Sequence, residues 1–303
     1  MRKHAWALAC GPILLGYHLE CEETACAGLT LISRMISVAV RKIGSQALFD
    51  LAPHLAIDRV MAFNTFDLCE RVEKGLLPIM ASIEQEATSL PAFADTAQRA
   101  LESGAAHKTL SHRPSLAMRS LTNPNRVKKR LDPLYDPLRA VSGKPLKETA
   151  SATREFGRMI DEIQMRTTTP SSEWLLYLVT PTNLVLDFVI ALATPNLKKA
   201  FEQDYVCRQT TRGVSVAYVL AAYQHEFGKW PATLAEAETW MKVTFPLDLM
   251  TGDPMKYELV GTQSASLTSS GPDCTHGTAD DLSFLPFPSP LSNEPEQPAE
   301  NEP

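Results

Sequence analysis

Several patterns on which enzyme classes depend are missing from this sequence. No two of its six cysteines have the C-x-x-C spacing, which disfavours a zinc ribbon or a thioredoxin-type motif. It has no Gly-x-Ser-x-Gly elbow that would present a nucleophilic serine, and no glycine-rich phosphate loop. The sequence therefore gives no direct indication of nucleophilic or phosphoryl-transfer catalysis, and we favour a non-enzymatic protein.

Long uninterrupted apolar runs are also absent. A membrane-spanning helix needs about 20 predominantly apolar residues. The segment 174–193 comes closest, but Pro181, Asn183 and Asp187 interrupt it, so a buried helix pair is the better interpretation. The first 19 residues have a basic start and an apolar run, yet they resemble a signal peptide only loosely because Gly11-Pro12 breaks the run. We predict no membrane span within this chain.

The charge distribution argues against a nucleic-acid partner. The net charge is −6, and basic residues are concentrated between positions 107 and 154, where 11 Lys or Arg accompany 3 Asp or Glu. The densest run, Arg126–Arg130, has no interleaved aromatic residues on which bases could stack, and no binding motif surrounds it. A solvated basic surface is the preferred interpretation.

The chain divides into five predicted regions. Residues 1–103 are predicted as a helical domain, in which 29–51 carries a wide apolar stripe with Arg34, Arg41 and Lys42 outside it. Further helices are predicted at 57–69, 76–87 and 93–101. Residues 104–150 are predicted as a basic connection through which helices cannot run far, because five prolines interrupt it. Residues 151–193 are predicted as helices packing on the core, 194–285 as a long helix with a small module, and 286–303 as a disordered Pro/Glu tail.

The segment from Thr194 to Phe284 is the most informative. Thr194-Pro195 is typical of a helix start, and Gly228 of a left-handed stop, so about 33 residues form one long helix in which Gly213 is a weak point. Thr233 and Glu236 have the spacing of a capping box that starts a short helix. Alternating patterns then predict strands at 255–260, 262–269 and 282–285, the first two joined around Gly261. The predicted fold class is mainly α, with one three-stranded antiparallel sheet in a small C-terminal α+β module.

The order of motifs in this segment resembles a known family. Phe227-Gly-Lys-Trp-Pro231, "PLDLMTGDPMKYEL", "SSGPD" and "DDLSF" follow one another as in the soluble domain of the type II secretion major pseudopilin. Uncharacterised bacterial envelope proteins carry a similar module at their C-terminus. The resemblance covers the C-terminal quarter of the chain, and the N-terminal pseudopilin signature is absent.

The resemblance implies a calcium site in the terminal loop. In the pseudopilins, aspartates after a Gly-x-Asp turn and before the last strand bind the ion. By that resemblance the ligands here are Asp273, Asp280 and Asp281, although the last two are adjacent where the family usually has one residue between them. Oxygen ligands suit Ca²⁺, whereas Cys274 and His276 are too few for zinc. The alternative is a plain surface loop without metal.

Two functional hypotheses follow, and they belong to different classes. The first is a non-enzymatic envelope or secretion-associated protein, located in the bacterial envelope or periplasm by resemblance, that acts through contacts with other proteins. Such relatives carry a membrane helix first, so we expect an in-frame extension upstream of Met1 encoding about 20 apolar residues. Without an export signal upstream the protein would be cytoplasmic. The second hypothesis is an enzyme whose site forms between the helical region and the C-terminal module.

Overall fold

The protein is mainly α-helical with one small antiparallel sheet, which confirms the predicted fold class. The computed structural model describes residues 2–25, 31–76, 79, 81–82, 124–168, 181–260 and 264–287. The α-helices in these ranges are α1 Arg2–Ala25, α2 Leu31–Leu51, α3 Arg59–Gly75, α4 Pro124–Ala140, α5 Leu146–Thr168, α6 Pro181–Phe227 and α7 Leu234–Met241. The strands are β1 Lys256–Val260, β2 Ser264–Ser269 and β3 Leu282–Leu285, and a 3₁₀ turn spans Ala52–His54. The helix predicted at 93–101, the turn at Gly261, and most of the helix at 76–87 and of the C-terminal tail lie outside the described residues.

Helices α1 and α2 form a closely packed antiparallel hairpin. A Cβ atom built on Gly16 of α1 would lie 2.6 Å from Cγ of Arg41, and one on Gly44 of α2 would lie 2.6 Å from Cγ1 of Ile13. Both distances are too short for any real side chain, so a glycine at each crossing lets the helices approach. No described helix combines the length and the apolar character that a membrane span requires.

Helix α6 is the element that contacts most of the other described elements. It contacts α2, α3, α5, α7 and the strands β2 and β3. Its C-terminal half, including Tyr218, lies in one hydrophobic core with α1–α3 and the sheet, and its N-terminal half, including Phe201, lies in a second core with α4 and α5. The predicted start at Thr194 is wrong, because the helix begins at Pro181 and continues through Pro195. A proline inside a helix removes one backbone hydrogen bond without necessarily ending the helix.

The predicted connection at 104–150 is also wrong in part, because α4 runs through it. Pro133 and Pro137 lie inside this helix. Each proline costs roughly 3 kcal/mol in a helix interior. Burial of Leu134, Tyr135 and Leu138 in the second core, with the Tyr135 ring 6.2 Å from that of Phe156, offsets this cost.

The C-terminal module follows its local sequence signals closely. Gly228 has φ +69° and ends α6, and Thr233 caps α7 by accepting a hydrogen bond from the Glu236 N–H at 3.3 Å. The strand order is β1-β2-β3, antiparallel throughout, with β2 in the centre. Gly213, the expected weak point of the long helix, is the place where Phe284 of β3 packs against α6, since a Cβ built there would lie 2.3 Å from the ring.

A buried ionic network holds α2 and α3 against α6. Asp204 of α6 lies 2.9 Å from Arg34 and 3.5 Å from Arg41, and all three side chains are at most 1% exposed. Both arginines were predicted outside the apolar stripe of α2, and the structure shows that this position is buried against α6. Glu73 of α3 accepts hydrogen bonds from Arg208 and Arg212 in a second, partly buried group.

Candidate functional site

The acidic loop between β2 and β3 is folded back on itself. The backbone N–H of Asp273 donates to Oδ2 of Asp280 at 3.0 Å, and the Thr278 hydroxyl donates to Oδ1 of Asp280 at 2.7 Å. These two hydrogen bonds, the hydroxyl first, lower the pKa of the Asp280 carboxyl. Gly271 has φ +51°, and a Cβ there would lie 2.2 Å from the carbonyl oxygen of Asp280, so only glycine allows this closure.

The other two candidate aspartates also accept hydrogen bonds from the loop backbone. Oδ1 of Asp273 accepts from the Thr275 N–H at 2.8 Å, and Oδ2 of Asp281 accepts from the Gly277 N–H at 2.8 Å. The Thr278 hydroxyl also lies 3.4 Å from Oδ1 of Asp281, so Asp280 and Asp281 share this donor, while Asp273 meets Asp280 through its backbone N–H.

The donor set of the loop suits calcium, but its arrangement is not that of a formed site. Carboxylate oxygens are the ligands that calcium prefers. Within the part of the chain that the structure describes, no group of three or more His, Cys, Asp or Glu is placed to hold a metal ion. To bind calcium, the loop carboxylates would have to give up these hydrogen bonds and ligate the ion instead.

A groove of about 710 Å³ lies beside this loop, between α5 and the N-terminal half of α6. One face of α5 lines it with Lys147, Arg154 and Arg158, which recur at helical spacing. Asp161 of α5, Glu202 of α6 and Asp273 of the loop supply negative charge. The groove thus lies at the junction between a helical region and the C-terminal module, where the alternative hypothesis expects an enzyme site.

The groove is built by contacts between residues far apart in the chain. The backbone N–H groups of Leu146 and Lys147, at the start of α5, donate to the carbonyl oxygens of Leu249 and Met250, each at 2.8 Å. The Tyr205 hydroxyl donates to the carbonyl oxygen of Lys144 at 2.7 Å. Sequence analysis missed this site because no local pattern links α5 to the turn at 248–253.

A buried aspartate fixes the base of the loop. Asp248 is 1% exposed, and its carboxylate accepts from the Met250 N–H at 2.8 Å and from the Ser270 N–H at 3.4 Å. Oε1 of Gln209 on α6 accepts from the Leu249 N–H at 2.8 Å. An Asp followed by a Gly-containing turn in "PLDLMTGDP" is the sequence signal that could have identified Asp248 as an Asx-type turn residue.

Cys274 is the thiol that lines the groove. Its backbone φ is +58°, and its Sγ donates to the Met250 carbonyl oxygen at 3.4 Å. Burial first, and then the charges of Asp248 and Asp273, raise the pKa of this thiol. A raised pKa keeps the thiol protonated at neutral pH, which is the opposite of what a catalytic cysteine needs. The four described cysteines, Cys10, Cys69, Cys207 and Cys274, are all free thiols.

Comparison of the chain with protein families, with curated proteins and with solved structures finds no match, so the functional argument depends on the sequence and on the geometry above.

Proposed function

We propose that this is a non-enzymatic envelope or secretion-associated protein that acts through protein contacts, with the groove beside the acidic loop as the contact site. The strongest support is that the polar side chains at the loop already have hydrogen-bond partners within the protein. The carboxylates of Asp273 and Asp280 accept hydrogen bonds from the loop itself, and the Cys274 thiol donates to a backbone carbonyl. A location in the bacterial envelope is part of the proposal, and the resemblance of the module to pseudopilins supports it.

The contact site is tested by site-specific crosslinking in cells that produce the native chain. A photo-crosslinking amino acid is placed at Gly157, which faces the groove with no atom within 4 Å of a built Cβ. The control position is Glu155, which is exposed on another face of α5. We expect one discrete protein adduct, identified by mass spectrometry, from position 157 and none from position 155. Equal labelling at both positions, or no protein adduct at either, would contradict the proposal.

We also propose that calcium staples the loop through Asp273, Asp280 and Asp281. The proposal is supported by three carboxylates within nine residues of one loop and by the glycine that allows its closure at residue 271. A three-stranded module has a small core, so an additional constraint would stabilise it considerably.

Calcium is expected to raise the melting temperature of the protein. An ion at about 100 times its dissociation constant stabilises the folded state by about 2.7 kcal/mol. Thermal melts are recorded with millimolar calcium and with chelator, for the native chain and for Asp273→Ala. The variant should lose most of the calcium-dependent gain, and in chelator it should lose only the exposed hydrogen bond that Oδ1 of Asp273 accepts from the Thr275 N–H. If the native chain has the same melting temperature in calcium and in chelator, the loop does not bind calcium.

The second candidate function is an enzyme with its site in the groove. The observation in its favour is that titratable groups of the helical region and of the module, among them Lys147, Asp273 and Cys274, line one cavity. The charges and hydrogen bonds do not single out an activated group among them. Thiol reactivity separates this candidate from the first.

Cys274 is expected to react slowly with iodoacetamide at pH 7. Its raised pKa leaves less thiolate than an ordinary cysteine has, so the rate should increase only as the pH rises beyond the usual thiol range. Peptide mapping by mass spectrometry follows each cysteine separately. Cys10 and Cys207 are internal controls, since both are buried with a pKa of about 11. Alkylation of Cys274 faster than that of glutathione at pH 7 would favour the enzyme.

A further inference from the structure

The outer face of the α1–α2 hairpin exposes large aliphatic side chains. Leu8 and Leu15 of α1 are 77% and 55% exposed, and Ile36 and Ile43 of α2 are 53% and 62% exposed. We call these four residues the outer quartet. Single exposed apolar residues are ordinary on a protein surface, whereas a contiguous group marks an interaction site.

The outer quartet lies along the seam between the two helices. Its two leucines flank Pro12 by four and three residues, and Cβ of Pro12 is 3.2 Å from a Cβ built on Gly44 of α2. Its two isoleucines flank Val40 in the same way, and Val40 precedes Gly44 by one helical turn. Residues three and four apart share a face of a helix. The side of α2 that faces α6 carries Arg34, Arg41 and Ser45, which contact Asp204 and Thr211. The exposed outer quartet therefore lies along the seam on the side of the hairpin away from α6.

Small exposed residues alternate with the outer quartet on both helices. Gly11 lies between the two leucines, three residues after one and four before the other, and a Cβ built there meets no atom within 4 Å. Ala39 occupies the equivalent place between the two isoleucines and is also exposed. Each helix thus carries the same pattern of a bulky side chain, a gap and a second bulky side chain.

We propose that this face binds the same face of a second copy of the chain, in a four-helix interface about a twofold axis. The bulky side chains of one copy would fill the gaps at Gly11 and Ala39 of the other, as knobs fill holes between packed helices. A twofold axis requires a self-complementary surface. The repeated pattern meets that requirement whether α1 packs on α1 or on α2 of the partner copy.

The size of the face fits a dimer. Helix α2 has 21 residues, which at 1.5 Å each gives a length of about 32 Å, and two helices side by side are about 20 Å wide. The whole hairpin face, with the outer quartet in its middle, therefore covers about 640 Å², near the lower end of the roughly 600 to 1,000 Å² that one partner contributes to a specific interface. Binding to a lipid surface requires apolar area but no gaps between bulky side chains. The alternation of bulky and small residues therefore favours a second copy of the chain as the partner.

The test is the oligomeric state of the full chain, measured by sedimentation velocity and light scattering from about 1 µM to about 100 µM. We expect a reversible dimer. Ile43→Glu should raise its dissociation constant by about 30-fold or more, as a residue at the centre of an interface does. The matched control is Val60→Glu on α3, because Val60 is 68% exposed but lies outside this face. This control should leave the dimer unchanged.

A second variant distinguishes packing from simple apolar attraction. Gly11→Leu adds apolar area but fills a gap, so it should weaken the dimer, whereas it would strengthen binding to a lipid surface. Circular dichroism confirms that each variant is folded. A monomer at all concentrations, a dimer insensitive to Ile43→Glu, a dimer strengthened by Gly11→Leu, or flotation of a monomer with phosphatidylglycerol and phosphatidylethanolamine vesicles would each overturn the proposal.

Discussion

Asp204→Ala is expected to lower the free energy of unfolding by about 3 to 5 kcal/mol, the usual cost of removing one partner from a buried ion pair. The Asp204 carboxylate is 2.9 Å from Nη2 of Arg34 and 3.5 Å from Nη2 of Arg41, and all three side chains are buried. Alanine would remove the Asp204 carboxylate from two buried guanidinium groups, and nothing of its charge would replace it at that position. Urea denaturation followed by circular dichroism measures the loss.

The matched control for this variant is Asp67→Ala on α3. Asp67 pairs with Arg71 one helical turn away, but the two side chains are 42% and 71% exposed. Exposed pairs of this kind contribute about 0.5 kcal/mol or less. The same chemical change should therefore have a small effect at position 67 and a large one at position 204. Equal losses would mean that the buried network does not stabilise the fold.

The buried network shows why sequence analysis fails for part of the helical region. Arg34, Arg41 and Asp204 each lie on the charged side of an amphipathic pattern, and periodicity alone places that side in water. In the fold the charged sides of α2 and α6 face each other, and the partners are more than 160 residues apart in the chain. Periodicity describes each helix separately, so it cannot predict that two polar faces bury one another.

The C-terminal module was predictable for the opposite reason. Its signals act over a few residues: the cap at Thr233, the left-handed Gly228 and the alternation in β2 each determine structure locally. The three aspartates of the loop, whose calcium binding stays a prediction, were identified from the resemblance to pseudopilins instead. Their hydrogen-bond partners and the groove beside them were not, because the groove requires α5, whose first residue precedes the loop by more than 120 positions.

Gly213 is the place where the C-terminal module packs on the helical region, and Gly213→Leu is expected to cost about 3 kcal/mol through overpacking. On helix propensity alone the change should be stabilising by nearly 1 kcal/mol. The Phe284 ring, however, is 2% exposed and would lie 2.3 Å from the first added carbon atom. To make room, β3 has to move away from α6, and the acidic loop that precedes β3 moves with it. The control is Gly157→Leu on α5, where no atom lies within 4 Å of a built Cβ.

A double-mutant cycle with Phe284 decides whether this contact is the cause. Phe284→Ala alone should cost about 3 to 5 kcal/mol, because it empties a buried site. In the chain that also carries Gly213→Leu, the new side chain can occupy the space that the ring has left. The loss in the double variant should therefore be smaller than the sum of the two single losses, by about 1 kcal/mol or more. Additive losses, measured by urea denaturation, would show that position 213 and β3 do not share one packing site. The module would then have to be held on α6 by other contacts.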